Sequence, residues 1–238
     1  MKVLVACEES QRVCIELRKL GHDAYSCDIL PCSGGHPEWH IQDDVLKHLD
    51  DDWDLMIAHP PCTYFSNAGM CNLTRKNSDD AYREKRKQLT LKAFDFTMAL
   101  VNAPIPRIAI ENPVGYLNTH WRKPDQIIHP YQFGQGVNKK TCLWLKNLPL
   151  LVPTNIVEKD TITTWDGTGK KISQWYKNTL KSGKGNLKEV SRIRSKTFLG
   201  IAQAMSKQWT MEVKSGCDAN DNGIPPNNKL LGILPNEL

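Results

Sequence analysis

Lys2–Ala6 (KVLVA) is a short run of β-branched and small apolar residues, the composition of a buried strand. From Ser10 the period changes. Val13, Cys14, Leu17 and Leu20 fall on one helical face, and Gly21 ends the pattern. Asp23–Cys27 predicts a second strand and Trp53–Ala58 (WDLMIA) a third, which the prolines of His59-Pro60-Pro61 forbid from continuing. Ser78 to Ala103 reads as a long amphipathic helix with Leu89, Ala93, Phe96 and Leu100 near helical spacing. Pro104 and Pro106 close it. Arg107–Ile110 (RIAI) predicts a fourth strand, ending in Glu111-Asn112-Pro113, and Thr141–Leu145 a fifth.

Strands that alternate with helices imply right-handed βαβ units and a mainly parallel sheet, so the fold class is α/β. In such sheets ligands gather at the carboxyl ends of the strands. The polar groups found there are Cys7-Glu8-Glu9-Ser10, Asp28, His59-Pro60-Pro61-Cys62 and Glu111-Asn112, so four strand ends point at one place. Residues 1–148 read as the main domain. Across 149–195 short apolar runs mix with Gly, Thr and Lys, and Trp165, Trp175 and Tyr176 stand among the lysines, the texture of a small inserted lobe. Helical pattern returns over 196–214 through Phe198, Ile201, Ala202, Met205 and Trp209. Residues 215–238 read as a tail that packs loosely or not at all.

Composition narrows the class. The chain has 238 residues, 40% hydrophobic and 24% charged, which excludes wholesale disorder, collagen and coiled coil. No run approaches the ~20 apolar residues of a membrane span. The opening strand is too short for a signal peptide, and eight cysteines without an export signal read as reduced thiols in a cytoplasmic protein. From Gly167 to Lys214 eleven basic residues face two acidic ones, a surplus of nine positive charges, while the rest of the chain is four negative. A basic segment on a mildly acidic body suits a polyanion-binding surface; a merely solvated lysine-rich loop is the plainer alternative.

A cysteine just after Pro-Pro at a strand end sits in a rigid, exposed turn, where a lowered pKa would make it a nucleophile. Cys7, Cys14, Cys27, Cys142 and Cys217 read instead as small buried hydrophobes. Around Cys62 the segment HPPCTYFSNAG resembles the catalytic loop of the cytosine-5 DNA methyltransferases, Pro-Pro-Cys-x-x-Phe-Ser-x-Ala-Gly, matching at Pro60, Pro61, Cys62, Phe65, Ser66, Ala68 and Gly69. The glycine that precedes the prolines in that family is His59 here. Glu111-Asn112-Pro113 resembles the family's Glu-Asn-Val, and both motifs fall at predicted strand ends in the family's order. Phe133–Leu145 is similar to the family's Tyr-Gly-Val-Pro-Gln-x-Arg-x-Arg segment, with Lys139 and Lys140 where arginines are expected. The similarity covers about residues 1 to 145 and extends to shortened, phage-type methyltransferase-like proteins.

The resemblance implies a Rossmann-like methyltransferase fold with a small target lobe, and S-adenosylmethionine as cofactor. It implies transfer of a methyl group to carbon 5 of cytosine in DNA. Cys62 is then the thiolate that adds to carbon 6, and Glu111 the acid that meets ring N3 and the exocyclic amine; no residue is assigned to take the carbon-5 proton. Cofactor positions fall on Ala6, Glu8, Ser10, Asp28, Asp44 and Pro60, although the family's glycine-rich first loop is here Ala6-Cys7-Glu8-Glu9-Ser10-Gln11. Substrate positions fall on Ser66, Asn112, Lys139 and Lys140 from the motifs and on Arg192 and Arg194 from the basic lobe. The setting implied is the cytoplasm, that of the host cell for a phage-encoded protein, with DNA as partner and no membrane. Two alternatives stand beside this: the same chemistry on a free cytidine nucleotide or on RNA, and a nucleic-acid-binding protein that has lost catalysis. Cys27, Cys32, His36 and His40 are potential zinc ligands, but their spacing is not that of a zinc knuckle and no metal is expected.

Overall fold

The computed structural model describes residues 1–70, 79–163 and 171–211. The first half runs β1 (Lys2–Ala6), α1 (Arg12–Lys19), β2 (Asp23–Cys27), β3 (His40–Ile41), β4 (Leu55–Ala58), α2 (Asn67–Met70) and α3 (Asp80–Val101). The second runs β5 (Ile108–Pro113), α4 (Tyr116–His120), β6 (Gln126–Ile128), β7 (Thr141–Lys146), β8 (Thr161–Thr163), β9 (Lys171–Ser173), α5 (Gln174–Ser182), α6 (Leu187–Ser195) and α7 (Leu199–Gln208). Seven strands form one sheet in the order β3-β2-β1-β4-β5-β7-β6. All are parallel except β7, which runs against both β5 and β6. This is a Rossmann-like α/β arrangement. Among the described residues no helix is long and apolar enough to cross a membrane.

Alternation along each strand builds two cores, because successive side chains leave opposite faces of a sheet. Val3, Val5, Leu55, Ile57, Ala109 and Leu143 face one way, onto Val13, Cys14 and Leu17 of α1 and Ile201, Ala202 and Met205 of α7. Leu4, Ala6, Met56, Ala58, Ile108 and Ile110 face the other way, onto Leu100, Ala103 and Ile105. Helix α1 starts without a capping side chain at Gln11. Its first free amides are satisfied from upstream: Val13 N donates to Glu8 Oε1 at 2.7 Å and Cys14 N to Glu8 Oε2 at 3.2 Å.

Several expectations shift. Leu20 is the C-cap of α1 and 49% exposed, because the helix closes one residue before the apolar stripe does. On α3 the predicted stripe holds at Leu100, which is buried, and at Ala93 and Phe96, which pack against the second core; Thr90 and Thr97 are buried beside it and donate their hydroxyls to the carbonyls of Arg86 and Ala93. The start of that helix at Ser78 lies outside the described residues. Strand β5 continues through Glu111, Asn112 and Pro113, since pairing with β7 holds these residues in register with Leu143, Cys142 and Thr141. Two-residue β3 and three-residue β6 are too short to show a period and carry no signal in the sequence.

The segment 149–160, placed in the lobe from its composition, is stitched to the body instead. Leu151 is buried and exchanges hydrogen bonds with the Gln126 side chain, Val152 does so with Gln208, and Gly134 N donates to Asn155 O at 2.7 Å. The excursion proper is the β8–β9 hairpin with α5 and α6. Trp165 and the tail at 215–238 lie outside the described residues. Trp175 is not an open stacking face: its ring packs 5.0 Å from that of Phe198, at the edge of the α1–α7 core.

Where α7 begins, Gly200 lies against the Phe133 carbonyl so closely that any Cβ would overlap it. Gly200→Ala should therefore destabilise the chain by about 1–3 kcal/mol, the usual scale of overpacking. Read as thermal unfolding, that is a drop of a few degrees or more; an unchanged midpoint would mean that α7 moves freely off this loop.

Candidate active site

Parallel register sets the geometry. Ala6 pairs with Cys27 on one side and Ala58 on the other, and Ala58 pairs with Ile110. The next residue on each strand is therefore Cys7, Asp28, His59 and Glu111, side by side. His59 N donates back to Ala6 O at 2.9 Å, which leaves the chain to turn outward through the two prolines.

That turn is held from several directions. Asn112 Nδ2 donates to Pro60 O at 2.8 Å. Phe65 N and Ser66 N both donate to Cys62 O, at 3.1 and 3.0 Å, closing a tight turn whose half-exposed corner is Cys62. Phe65 is buried and stacks on Tyr116, while Tyr116 N donates to Phe65 O and Ser66 bridges to Gly115. A Cβ at Gly115 would overlap Phe65 O, so only glycine lets the two segments meet. From α3, Arg86 donates to Thr63 O at 2.8 Å and lies 4.7 Å over the Tyr64 ring. Arg86 escapes notice in the sequence because it is one of several basic residues on an exposed helix.

Beside Cys62 stands a buried pair. His59 Nδ1 and Glu111 Oε2 are 3.2 Å apart, with the side chains 10% and 20% exposed. Burial alone would push His59 down, but the hydrogen bond and charge of Glu111, with the charge of Glu8 behind it, hold it above its ordinary value. Burial alone would push Glu111 up; His59 and the Lys139 charge hold it low. Each partner thus favours the charged form of the other, imidazolium beside carboxylate. Cys62 differs from the expectation of a lowered pKa: burial raises it and the Glu111 charge raises it further, against weaker pulls from Lys139 and Arg194. The resting thiol is protonated.

Lys139 is half-buried and its Nζ donates to Arg194 O at 2.9 Å, which ties the end of α6 to this site. Arg194 lies 5.1 Å from the Tyr176 ring. Lys140 points elsewhere, its charge acting on His129 and Cys142. Arg192 is forked onto Glu189, at 2.9 and 2.7 Å, so its guanidinium is already engaged. Asn112 is 1% exposed and acts on the loop backbone; it has no surface with which to touch a substrate, which turns a substrate position into a structural one.

The cofactor positions divide in the same way. Glu8 is 4% exposed with both oxygens on α1 amides, Ala6 is wholly buried, and the carbonyl of buried Pro60 is taken by Asn112. Ser10 is also buried, and Asp44 caps the short helix Val45–His48 through Leu46 N. The Glu8 and Asp44 side chains and the Pro60 carbonyl are thus engaged within the fold, and Ala6 and Ser10 are buried in it. Asp28 is different. It stands half-buried at the end of β2, raised by burial, with Leu30 N donating to it at 2.9 Å and exposed Ile29 next in the chain. The glycine-free first loop reaches its turns regardless: Cys7 and Gln11 adopt φ of 59° and 54°. The loop is clasped by Gln11, which donates to His36 O at 2.8 Å and accepts from His36 N at 3.1 Å. His40 bonds Ser26 and Leu30 O, and Cys27 bonds Asp43 O.

Cys14, Cys27 and Cys142 are buried in the core and Cys7 packs against it. Burial drives Cys7 far up and Cys14 and Cys27 to about 12. Cys217 lies outside the described residues.

No protein-family model and no curated protein sequence matches this chain. Solved structures similar in fold are methyltransferases. A prophage protein of E. coli assigned as a DNA modification methyltransferase shares 15% identity at a TM-score of 0.41, over 66% of this chain and 52% of its own. The Dnmt2 methyltransferase of S. pombe shares 19% at 0.42, over 71% and 58%. The methyltransferase EhMeth of Entamoeba histolytica shares 14% at 0.44, over 68% and 58%. This chain thus spans between half and three fifths of their length, and at these identities the likeness is one of fold alone.

Because the Glu111 charge raises Cys62, Glu111→Gln should lower the thiol's pKa and speed its alkylation by iodoacetamide near pH 8. Peptide mapping of the alkylated protein reads this directly. A slower or unchanged rate at Cys62 would contradict the coupling.

Proposed function

We propose that the protein transfers a methyl group from S-adenosylmethionine to carbon 5 of cytosine in DNA through a covalent bond to Cys62. The observation that carries this reading is the pairing of two groups across one small space: the Glu111 carboxylate is the strongest neighbouring charge on the Cys62 thiol. Carbon 6 and N3 lie on opposite edges of one cytosine ring. A nucleophile for the first and a carboxyl group for the second must therefore stand a ring's width apart, and the motif residues that supply them lie on the loop after β4 and on the adjacent strand β5.

Carbon 5 of cytosine is a weak nucleophile. Attack of the Cys62 thiolate forms a bond to carbon 6 and moves an electron pair toward carbon 5. Glu111, bonded to N3 and the exocyclic amine, stabilises the charge that grows on the ring. Bound S-adenosylmethionine supplies an electrophilic methyl group. The thiol's proton leaves to water as the thiolate forms; once carbon 5 is methylated it loses its own proton to water, the carbon 6–sulfur electron pair returns to sulfur, and the Cys62 thiolate takes a proton back from water. The raised resting pKa of Cys62 has a use here: the thiolate forms once the Glu111 charge is engaged by the base, so the free protein is spared an exposed reactive thiolate.

Asp28 suits the nucleoside end of the cofactor. A ribose hydroxyl donating to its carboxylate would return the stabilisation that burial removes, and Ile29 offers an apolar surface for a flat base. Polymer rather than free nucleotide is favoured by the excursion that follows β7. Lys181, Lys184 and Lys188 are exposed on α5, α6 and their connection, and Arg194 carries positive charge to the edge of the site. We infer that this excursion is the target lobe. Reaching a paired base would require turning it out of the helix.

One incubation tests the reading. Labelled S-adenosylmethionine is supplied with duplex DNA, single-stranded DNA, RNA or dCMP, and label is sought on carbon 5. DNA should be labelled, and Cys62→Ser should abolish labelling while cofactor affinity is unchanged, since an alcohol is a far weaker nucleophile near neutral pH. Labelling of dCMP or RNA alone would move the substrate to those alternatives, and wild-type turnover by Cys62→Ser would end the covalent mechanism.

A further inference from the structure

His59 occupies the position at which the resembled motif has glycine, and it is not idle there. Its Nδ1 lies 3.2 Å from Glu111 Oε2, and its Nε2 is buried with no hydrogen-bond partner among the described residues. The charged and titratable groups that act on it come from three other elements: Glu111 on β5, Glu8 on the β1–α1 loop, and Lys139 on the approach to β7. Cys62 shares its loop. An imidazole enclosed this way has one hydrogen-bonding partner, and that partner is the carboxylate assigned to the base.

Proton accounting at Glu111 makes this contact consequential. A carboxylate is an acceptor only, and N3 of cytosine is also an acceptor, so the two cannot bond without a proton between them. In the free protein Glu111 carries no such proton, because His59 holds it as a carboxylate. Resting on the function proposed above, we propose that His59 stores the proton that Glu111 must present to ring N3 and passes it across their hydrogen bond when the base docks.

The step balances. The Nδ1–H bond of the imidazolium breaks, its electron pair stays on nitrogen, and an O–H bond forms on the Glu111 carboxylate. Histidine is left neutral with its proton on Nε2, glutamate becomes a neutral acid, and the net charge of the pair is unchanged. Docking supplies the drive: a base stacked into the site takes the remaining exposed fifth of Glu111 out of water, and desolvation disfavours the charged form of both partners. Departure of the product readmits water and returns the proton. His59 thus acts through Glu111 as a positioning residue for a proton and does not itself meet the base.

The experiment compares pH profiles of kcat/KM for the full chain, for His59→Gln, which can bond Glu111 but stores no proton, and for His59→Gly. With the proton stored on histidine, the wild type should hold its rate above the ordinary carboxylate range, up to the raised titration of His59. The variants must draw the proton from solvent onto Glu111, which burial raises once His59 is gone, so their deficit should widen by about tenfold per pH unit between the titration of Glu111 in the variant and that of His59 in the wild type. A deficit of constant size at every pH would assign His59 a merely structural role and overturn the proposal. In parallel, NMR titration of the His59 ring needs no active enzyme. It should show a pKa above 6.5 in the wild type, falling in Glu111→Gln; a value at or below 6.5 in the wild type means that no proton is stored, which also overturns it. A raised His59 in a protein that methylates no cytosine substrate fails differently: the stored proton is real, the function reading is wrong, and the role given to that proton falls with it.

Discussion

Two charged side chains enclosed at the ends of adjacent parallel strands set the terms for everything around them. Removing a carboxylate or an imidazolium from water is expensive unless each finds a partner, and here each is the other's partner at 3.2 Å. Strand register makes the contact, since pairing of Ala58 with Ile110 brings His59 and Glu111 level. The pair in turn fixes the electrostatic state of Cys62, whose thiol feels the carboxylate more strongly than it feels the cations beyond. Asn112, next to Glu111, ties the same loop down at Pro60 O, so one strand end governs both the charge and the position of the nucleophile.

The framework was legible where residues repeat with a period. Strands β1, β2, β4, β5 and β7 and helices α1, α3 and α7 all announce themselves through alternation or helical spacing, and the prolines after β4 and α3 mark true ends. Short pieces such as β3 and β6 fix too few positions for a period to exist. The stripe on α3 missed Thr90 and Thr97 because threonines can be buried when their hydroxyls bond the preceding turn, and a hydropathy pattern counts them as polar.

The site was legible in part, for a related reason. The family resemblance singles out Cys62 and Glu111 as candidates, but it does not reveal which polar side chains are already committed. Glu8, Asp44 and Asn112 look available in a sequence; in three dimensions the first two serve backbone amides and the third a carbonyl. Lys139 and Lys140 look equivalent and act on opposite surroundings. The lobe divides likewise, with Arg192 neutralised by Glu189 while the Arg194 charge reaches Cys62. His59 was visible only as a departure from a motif. Its meaning depends on a residue 52 positions away that no local pattern connects to it.

The central claim is a covalent bond between Cys62 and carbon 6 of cytosine, and a trapped intermediate tests it most directly. In DNA containing 5-fluorocytosine, carbon 5 bears fluorine in place of the proton that must leave, so a methylated adduct cannot eliminate. Incubated with S-adenosylmethionine and this DNA, the protein should accumulate a denaturation-resistant complex, and peptide mass mapping should find the modification on Cys62. Turnover of ordinary DNA without any such complex, or an adduct on another residue, would contradict the account.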